Sequence, residues 1–139
     1  MGTRSRIGVM YGDKLKSVYC HWDGYLQHNG QLLQNHYDSA KANHLVSLGN
    51  ISSLKDEIGE KHDFDERSDC CTFYGRDRGE PVTFAVDQSY NDFLSRNYDC
   101  EYYYIMRDGV WYVGVNRSDE SMVPGQLYVL AEQLAKVEA

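Results

Sequence analysis

The segment EYYYIMRDGVWYVGV, residues 101–115, does more than any other stretch to limit the folds open to this chain. Two arms rich in aromatic and β-branched residues flank Asp108-Gly109, a pair suited to the two positive-φ positions of a type I′ turn. The arms are therefore predicted to form a two-residue β-hairpin. Alternation sends Tyr102 and Tyr104 to one face and Tyr103 to the other. One set belongs in the core. The other is expected at a subunit interface, with a ligand platform as the alternative.

A second hairpin is predicted over residues 6–22. Ile7, Val9 and Tyr11 alternate, and Gly12-Asp13 supplies a Gly-first turn of type II′ chemistry. Asp23 is expected to cap a helix starting near Gly24, with Leu26, Leu33 and Tyr37 at helical spacing. Gly30 weakens that helix in its middle, so it should be bent or short. Another helix should start at Asp38 or Ser39 and stop at Gly49. Residues 50–69 read as a polar loop or a flap. CTFYGRD and PVTFAVD read as short strands interrupted at Pro81, and Asp87 as the cap of a helix running to about Arg96. LYVLAEQLAKVEA closes the chain with Leu127, Leu130, Leu134 and Val137 on one side of a helix. The resulting order, ββ-α-α-β-β-α-β-β-α, implies one α+β domain over residues 1–139. Its sheet should be mainly antiparallel, built from hairpins, with helices packed on one face.

Composition narrows the function. A net charge of −7 opposes binding to a nucleic-acid polymer, although a local arginine cluster can still hold a small anion. No apolar run approaches the 18 residues of a membrane span. The N-terminus lacks the apolar core of a signal peptide, so a cytoplasmic protein is expected. Cys20, Cys70, Cys71 and Cys100 should then be reduced thiols, and their spacing fits no zinc pattern. Twelve tyrosines suit either extensive interfaces or a β-rich core.

Two clusters combine rings with polar or charged groups. In YCHWDGY, residues 19–25, Trp22 or Tyr25 would stack on a flat ligand while His21 and Asp23 bond its edges. The alternative is a packed corner with Trp22 in the core and Gly24 permitting a close approach. In TFYGRDRGE, residues 72–80, a strand would place Tyr74, Arg76 and Arg78 on one face, a fork-like pair for phosphate. The alternative is a solvated strand end with surface ion pairs. Arg4, Arg6, Lys14 and Lys16 add positive charge. His28, His36 and His44 lie eight apart, too far around a helix to converge, so no metal site is expected. No nucleophile elbow, P-loop or HExxH pattern occurs, and neither a catalytic residue nor a cofactor is expected.

Taken together, MGTRSRIGV, SVYCHWDGYLQHNG, ISSL, FYGRDRGE and EYYYIMRDGVWYV resemble a widespread family of small tailed-phage proteins, most of them uncharacterised. The likeness runs from Met1 to about Val115. Phage proteins of this size include anti-CBASS sponges, which sequester cyclic nucleotide signals of bacterial defence. What the resemblance implies is an immune-evasion protein in the cytoplasm of the infected cell. It would be a homo-oligomer, dimer or tetramer, holding a cyclic dinucleotide such as 3′3′-cyclic GMP–AMP without cleaving it. The expected ligand residues are His21, Trp22, Asp23, Tyr25, Tyr74, Arg76 and Arg78. The rival expectations are a metal-dependent phosphodiesterase or nuclease degrading such signals, and a protein-binding inhibitor of a host factor.

Overall fold

Both predicted hairpins form. The structure, a computed structural model, describes residues 3–96, 98–117 and 122–138; Met1 and Gly2 of the N-terminal motif lie outside them. Strand β1 (Ser5–Tyr11) pairs antiparallel with β2 (Lys14–Cys20), closed by Gly12 at φ +61°. Strands β6 (Tyr102–Arg107) and β7 (Val110–Val115) meet at Asp108 (φ +52°) and Gly109 (φ +80°). Those two positive dihedrals are what a type I′ turn needs.

The two hairpins are joined by a parallel pairing of β1 with β6, from Ser5↔Tyr102 to Val9↔Met106. Four short strands extend the sheet: β3 (Ile51–Ser53), β4 (Thr72–Phe73), β5 (Ala85–Asp87) and β8 (Tyr128–Val129). The order is β4-β3-β2-β1-β6-β7-β8, with β5 also pairing β2. Two pairings are parallel (β1–β6 and β2–β3), so the sheet is mixed, with most of its ladders antiparallel.

Helices α1 (Gln31–His36), α2 (Ser39–Ser47) and α5 (Leu130–Glu138) cover one face. Leu33, Leu45, Val46 and Leu130 pack there with Ile7, Val18, Tyr104 and Val113. Leu134 of α5 is buried in the same layer, whereas the side chain of Val137 lies outside the described part. Helix α4 (Tyr90–Ser95) lies on the opposite face, where Phe93 joins Leu15, Tyr103 and Ile105. Tyr103 and Tyr104 are therefore both buried and Tyr102 is half-buried. The expected tyrosine interface is corrected: each face of that arm is covered by the chain's own helices. Among the described residues no helix is long and apolar enough to cross a membrane.

Three local expectations are overturned. Asp23 caps no helix; its φ is +56°, and the first helical turn, Leu26–Gly30, is a π-turn whose flanking Tyr25 offers no side-chain cap. Gly30 marks the change to α1. Asp87 lies in β5 opposite Leu15, and Ser89 caps α4 by accepting from the Asp92 N–H. Most important for the site, the strand in TFYGRDRGE ends at Phe73. Tyr74–Arg78 is helix α3, ended by Gly79 at φ +78°, with the Asp77 carboxylate accepting from the Phe73 N–H at 2.8 Å.

Candidate functional site

The YCHWDGY corner is fixed by backbone contacts. His21 and Trp22 donate their N–H groups to the Ile51 and Ser52 carbonyls at 3.0 and 3.1 Å. The Gly24 N–H donates to Thr3 O at 2.7 Å, and a Cβ there would lie 2.7 Å from the Ser5 Cβ. Only glycine permits that approach. The buried Asn29 amide locks the turn from inside, reaching Ser5 Oγ and Cys20 Sγ, each at 3.3 Å.

This rigid corner turns Trp22 outward, 44% exposed, with the His21 ring edge-on to it at 4.6 Å. Tyr25 is 37% exposed, but its ring neighbours His28 at 6.2 Å rather than the second cluster. Asp23 is half-buried in its left-handed turn.

Helix α3 separates the two arginines. A helix advances about 100° per residue, so positions two apart diverge by roughly 200° instead of sharing a face. Arg76 is consumed internally. Its five N–H donors make five bonds: to Ile58 O, Gly59 O and Cys71 O at 2.8–3.0 Å, and to both Asp77 carboxylate oxygens at 3.0 and 3.2 Å. The expected phosphate role of Arg76 is corrected on that ground; it braces the 58–71 loop to α3. Burial works to raise the Asp77 pKa, yet the bonds from Arg76, Phe73 and His62 outweigh it and hold the carboxyl below its usual range.

Arg78 faces the other way. Its guanidinium lies 4.7 Å from the Phe64 ring centroid and 5.0 Å from that of Tyr74, and pairs with the Glu80 carboxylate. Beside it opens a cavity of about 180 Å³, walled by Tyr19, Asn50, Tyr74, Arg78, Glu80 and Thr83 among others. Tyr19 joins the two clusters: its hydroxyl lies 2.5 Å from His21 Nδ1. Burial pushes the Tyr19 phenol up, and the neighbouring Arg4 guanidinium opposes that push. The result is a continuous surface running Trp22–His21–Tyr19–cavity–Tyr74–Arg78.

Of the expected residues, His21, Trp22, Tyr74 and Arg78 belong to this surface, whereas Asp23, Tyr25 and Arg76 contribute no contact to it. Tyr19 was missed although it lies two residues before His21 on β2, which puts both on one face. Phe64 comes from a loop that gave no periodic signal. A larger concavity, about 740 Å³, lies elsewhere, between the α1–α2 corner and the β6–β7 tip. Its indole N–H already donates from Trp111 to Tyr37 O, and its Asp38 carboxylate caps α2. Among the described residues no group of three His, Cys, Asp or Glu side chains is placed to hold a metal.

Fold and site together define a single α+β domain with a small cavity lined by rings and one half-exposed guanidinium. Compared with known proteins, the chain matches no family model, no curated protein and no solved structure.

Proposed function

We propose that this chain binds a nucleotide, specifically a cyclic nucleotide second messenger, and sequesters it without cleavage. One observation carries the reading: Tyr19 links His21 and Trp22 to the cavity where Arg78 lies over two rings. Flat bases stack on aromatic rings, worth ~1–3 kcal/mol per base, and a guanidinium suits phosphate. The likeness to tailed-phage proteins supports the same ligand class. Arg78 would exchange Glu80 for a phosphate oxygen, a low-cost trade for a surface ion pair. At about 180 Å³ the cavity is below the ~300–1,000 Å³ of typical ligand pockets, so each chain offers one base and one phosphate a half-site. A cyclic dinucleotide would be completed by a second subunit.

The test is a thermal-shift screen against cyclic di- and trinucleotides, 3′3′-cyclic GMP–AMP first. A ligand at one hundred times its Kd stabilises the folded state by about 2.7 kcal/mol, which raises the Tm by several degrees. Arg78→Ala should abolish the rise while leaving the ligand-free Tm nearly unchanged. Heat-denatured complexes should release intact ligand. A flat screen, or recovery of a linearised product, defeats the proposal.

A further inference from the structure

The small cavity beside Arg78 has walls fixed by the chain's own backbone. Three bonds stitch them together: the Asn50 N–H donates to Thr83 O at 3.0 Å, the Tyr74 N–H to Asn50 O at 3.2 Å, and the Glu80 N–H to Tyr74 O at 3.2 Å. All four of these residues line the cavity. Their side chains therefore present a set pattern of donors and acceptors to whatever enters.

Each polar group in that pattern has a definite role. A backbone N–H can only donate, so the 3.0 Å bond from the Tyr19 N–H turns the Asn50 amide with its Oδ1 toward β2. The Nδ2 group, with two hydrogens to give, donates to no acceptor among the described residues. Glu80 brings a carboxylate, which only accepts, and in the ligand-free chain it accepts from Arg78 Nε. When Arg78 turns to a phosphate, that carboxylate loses its partner at a cavity walled by the Tyr19 and Tyr74 rings. The replacement must supply N–H donors.

We propose that the cavity is selective for guanine, with Glu80 accepting from its N1–H and 2-amino group and Asn50 Nδ2 donating to its O6. Among the common bases guanine alone carries two adjacent N–H donors on one edge, the match for the two oxygens of a carboxylate, with a carbonyl acceptor next to them. Adenine sets an N1 lone pair where guanine has N1–H, so Glu80 would meet it acceptor to acceptor. Cytosine does the same through N3, and uracil has a single N–H. The inference rests on the nucleotide reading and adds to it which base is read. With one base read by each of two chains, cyclic di-GMP supplies two guanines, cyclic GMP–AMP one and cyclic di-AMP none.

Isothermal titration calorimetry with these three ligands tests it. The wild-type chain should bind them in that order, losing ~10-fold in affinity for each guanine replaced by adenine. Cyclic di-IMP, whose bases lack only the 2-amino group, should bind more weakly than cyclic di-GMP. Glu80→Gln keeps the shape of the side chain but offers one oxygen and one NH2, a pair suited to adenine, and should bring cyclic di-GMP and cyclic di-AMP to nearly equal affinity. Asn50→Asp keeps an oxygen for the Tyr19 N–H while removing the donor, and should weaken cyclic di-GMP more than cyclic di-AMP. Equal wild-type affinities, a preference for adenine, or a guanine preference that Glu80→Gln leaves intact would overturn the inference while the nucleotide reading stands. Binding of none of these ligands would defeat that reading, and this inference with it.

Discussion

Replacing Asp77 with alanine removes the counter-charge from Arg76, whose guanidinium pairs with no other carboxylate among the described residues. The Asp77 side chain is fully buried and Arg76 is only 14% exposed, so the pair is shielded from water. The carboxylate also accepts from the Phe73 and His62 N–H groups, at 2.8 and 3.0 Å. Breaking a buried pair by removing one partner costs about 3–5 kcal/mol, and an unsatisfied buried donor costs ~1–3 kcal/mol. These terms overlap because one carboxylate serves all the partners, so the expected loss is about 3–5 kcal/mol in total. That is a large share of the ~5–15 kcal/mol that holds a domain folded. Urea unfolding followed by tryptophan fluorescence measures it, with buried Trp111 as the reporting ring. A loss under ~1 kcal/mol would refute the assignment of Arg76 as an internal brace.

The same carboxylate sets an acid limb. Its folded pKa is depressed below the ordinary value of about 3.9, so its contribution is fully present above that value. It fades as pH falls from near 4 through the lower folded pKa. Asp77→Asn should flatten this part of the stability profile, and an unaltered slope would contradict the linkage.

Two further outcomes are expected. Gly24→Ala should lower stability by ~1–3 kcal/mol, because its Cβ would press on the Ser5 Cβ and the Thr3 carbonyl; a melting temperature within a degree of wild type would show the corner to be looser than described. In the native chain iodoacetamide should modify half-buried Cys70 first, since burial pushes the Cys20 and Cys100 thiols up to about 12 and also raises Cys71. Peptide mapping that finds Cys20 or Cys100 labelled as fast as Cys70 would contradict their burial.

The parts of the fold legible in the sequence are those decided within a few residues. Gly12 and Asp108-Gly109 announce their hairpins because positive φ excludes most other residues. Asp38 announces α2 because a carboxylate there meets the Lys41 N–H. The parallel contact of β1 with β6 was not legible, because it joins strands from opposite ends of the chain and leaves no local mark. Two misreadings did leave one. Ser89 followed by Asp92 has the spacing of a capping box, which outweighs the isolated Asp87. Gly79 after RDR is a helix C-terminal glycine, and it ends α3.

That last residue decides the site. Read as a strand, FYGRDR aims two guanidiniums at one ligand; read as a helix, it sends one inward and one outward. The inward arginine is fixed by three carbonyls from a loop with no periodicity, so composition alone cannot reveal that it is already committed. The outward one keeps its charge near water and over two rings. Arg78 is the guanidinium that lines the cavity, so under the proposed reading a ligand carrying two phosphates finds two such forks only where two of these surfaces are brought together. Mixing wild type with Arg78→Ala therefore offers a direct discrimination. If ligand capacity falls with the square of the wild-type fraction, two chains share each ligand, whereas a linear fall means that one chain binds alone.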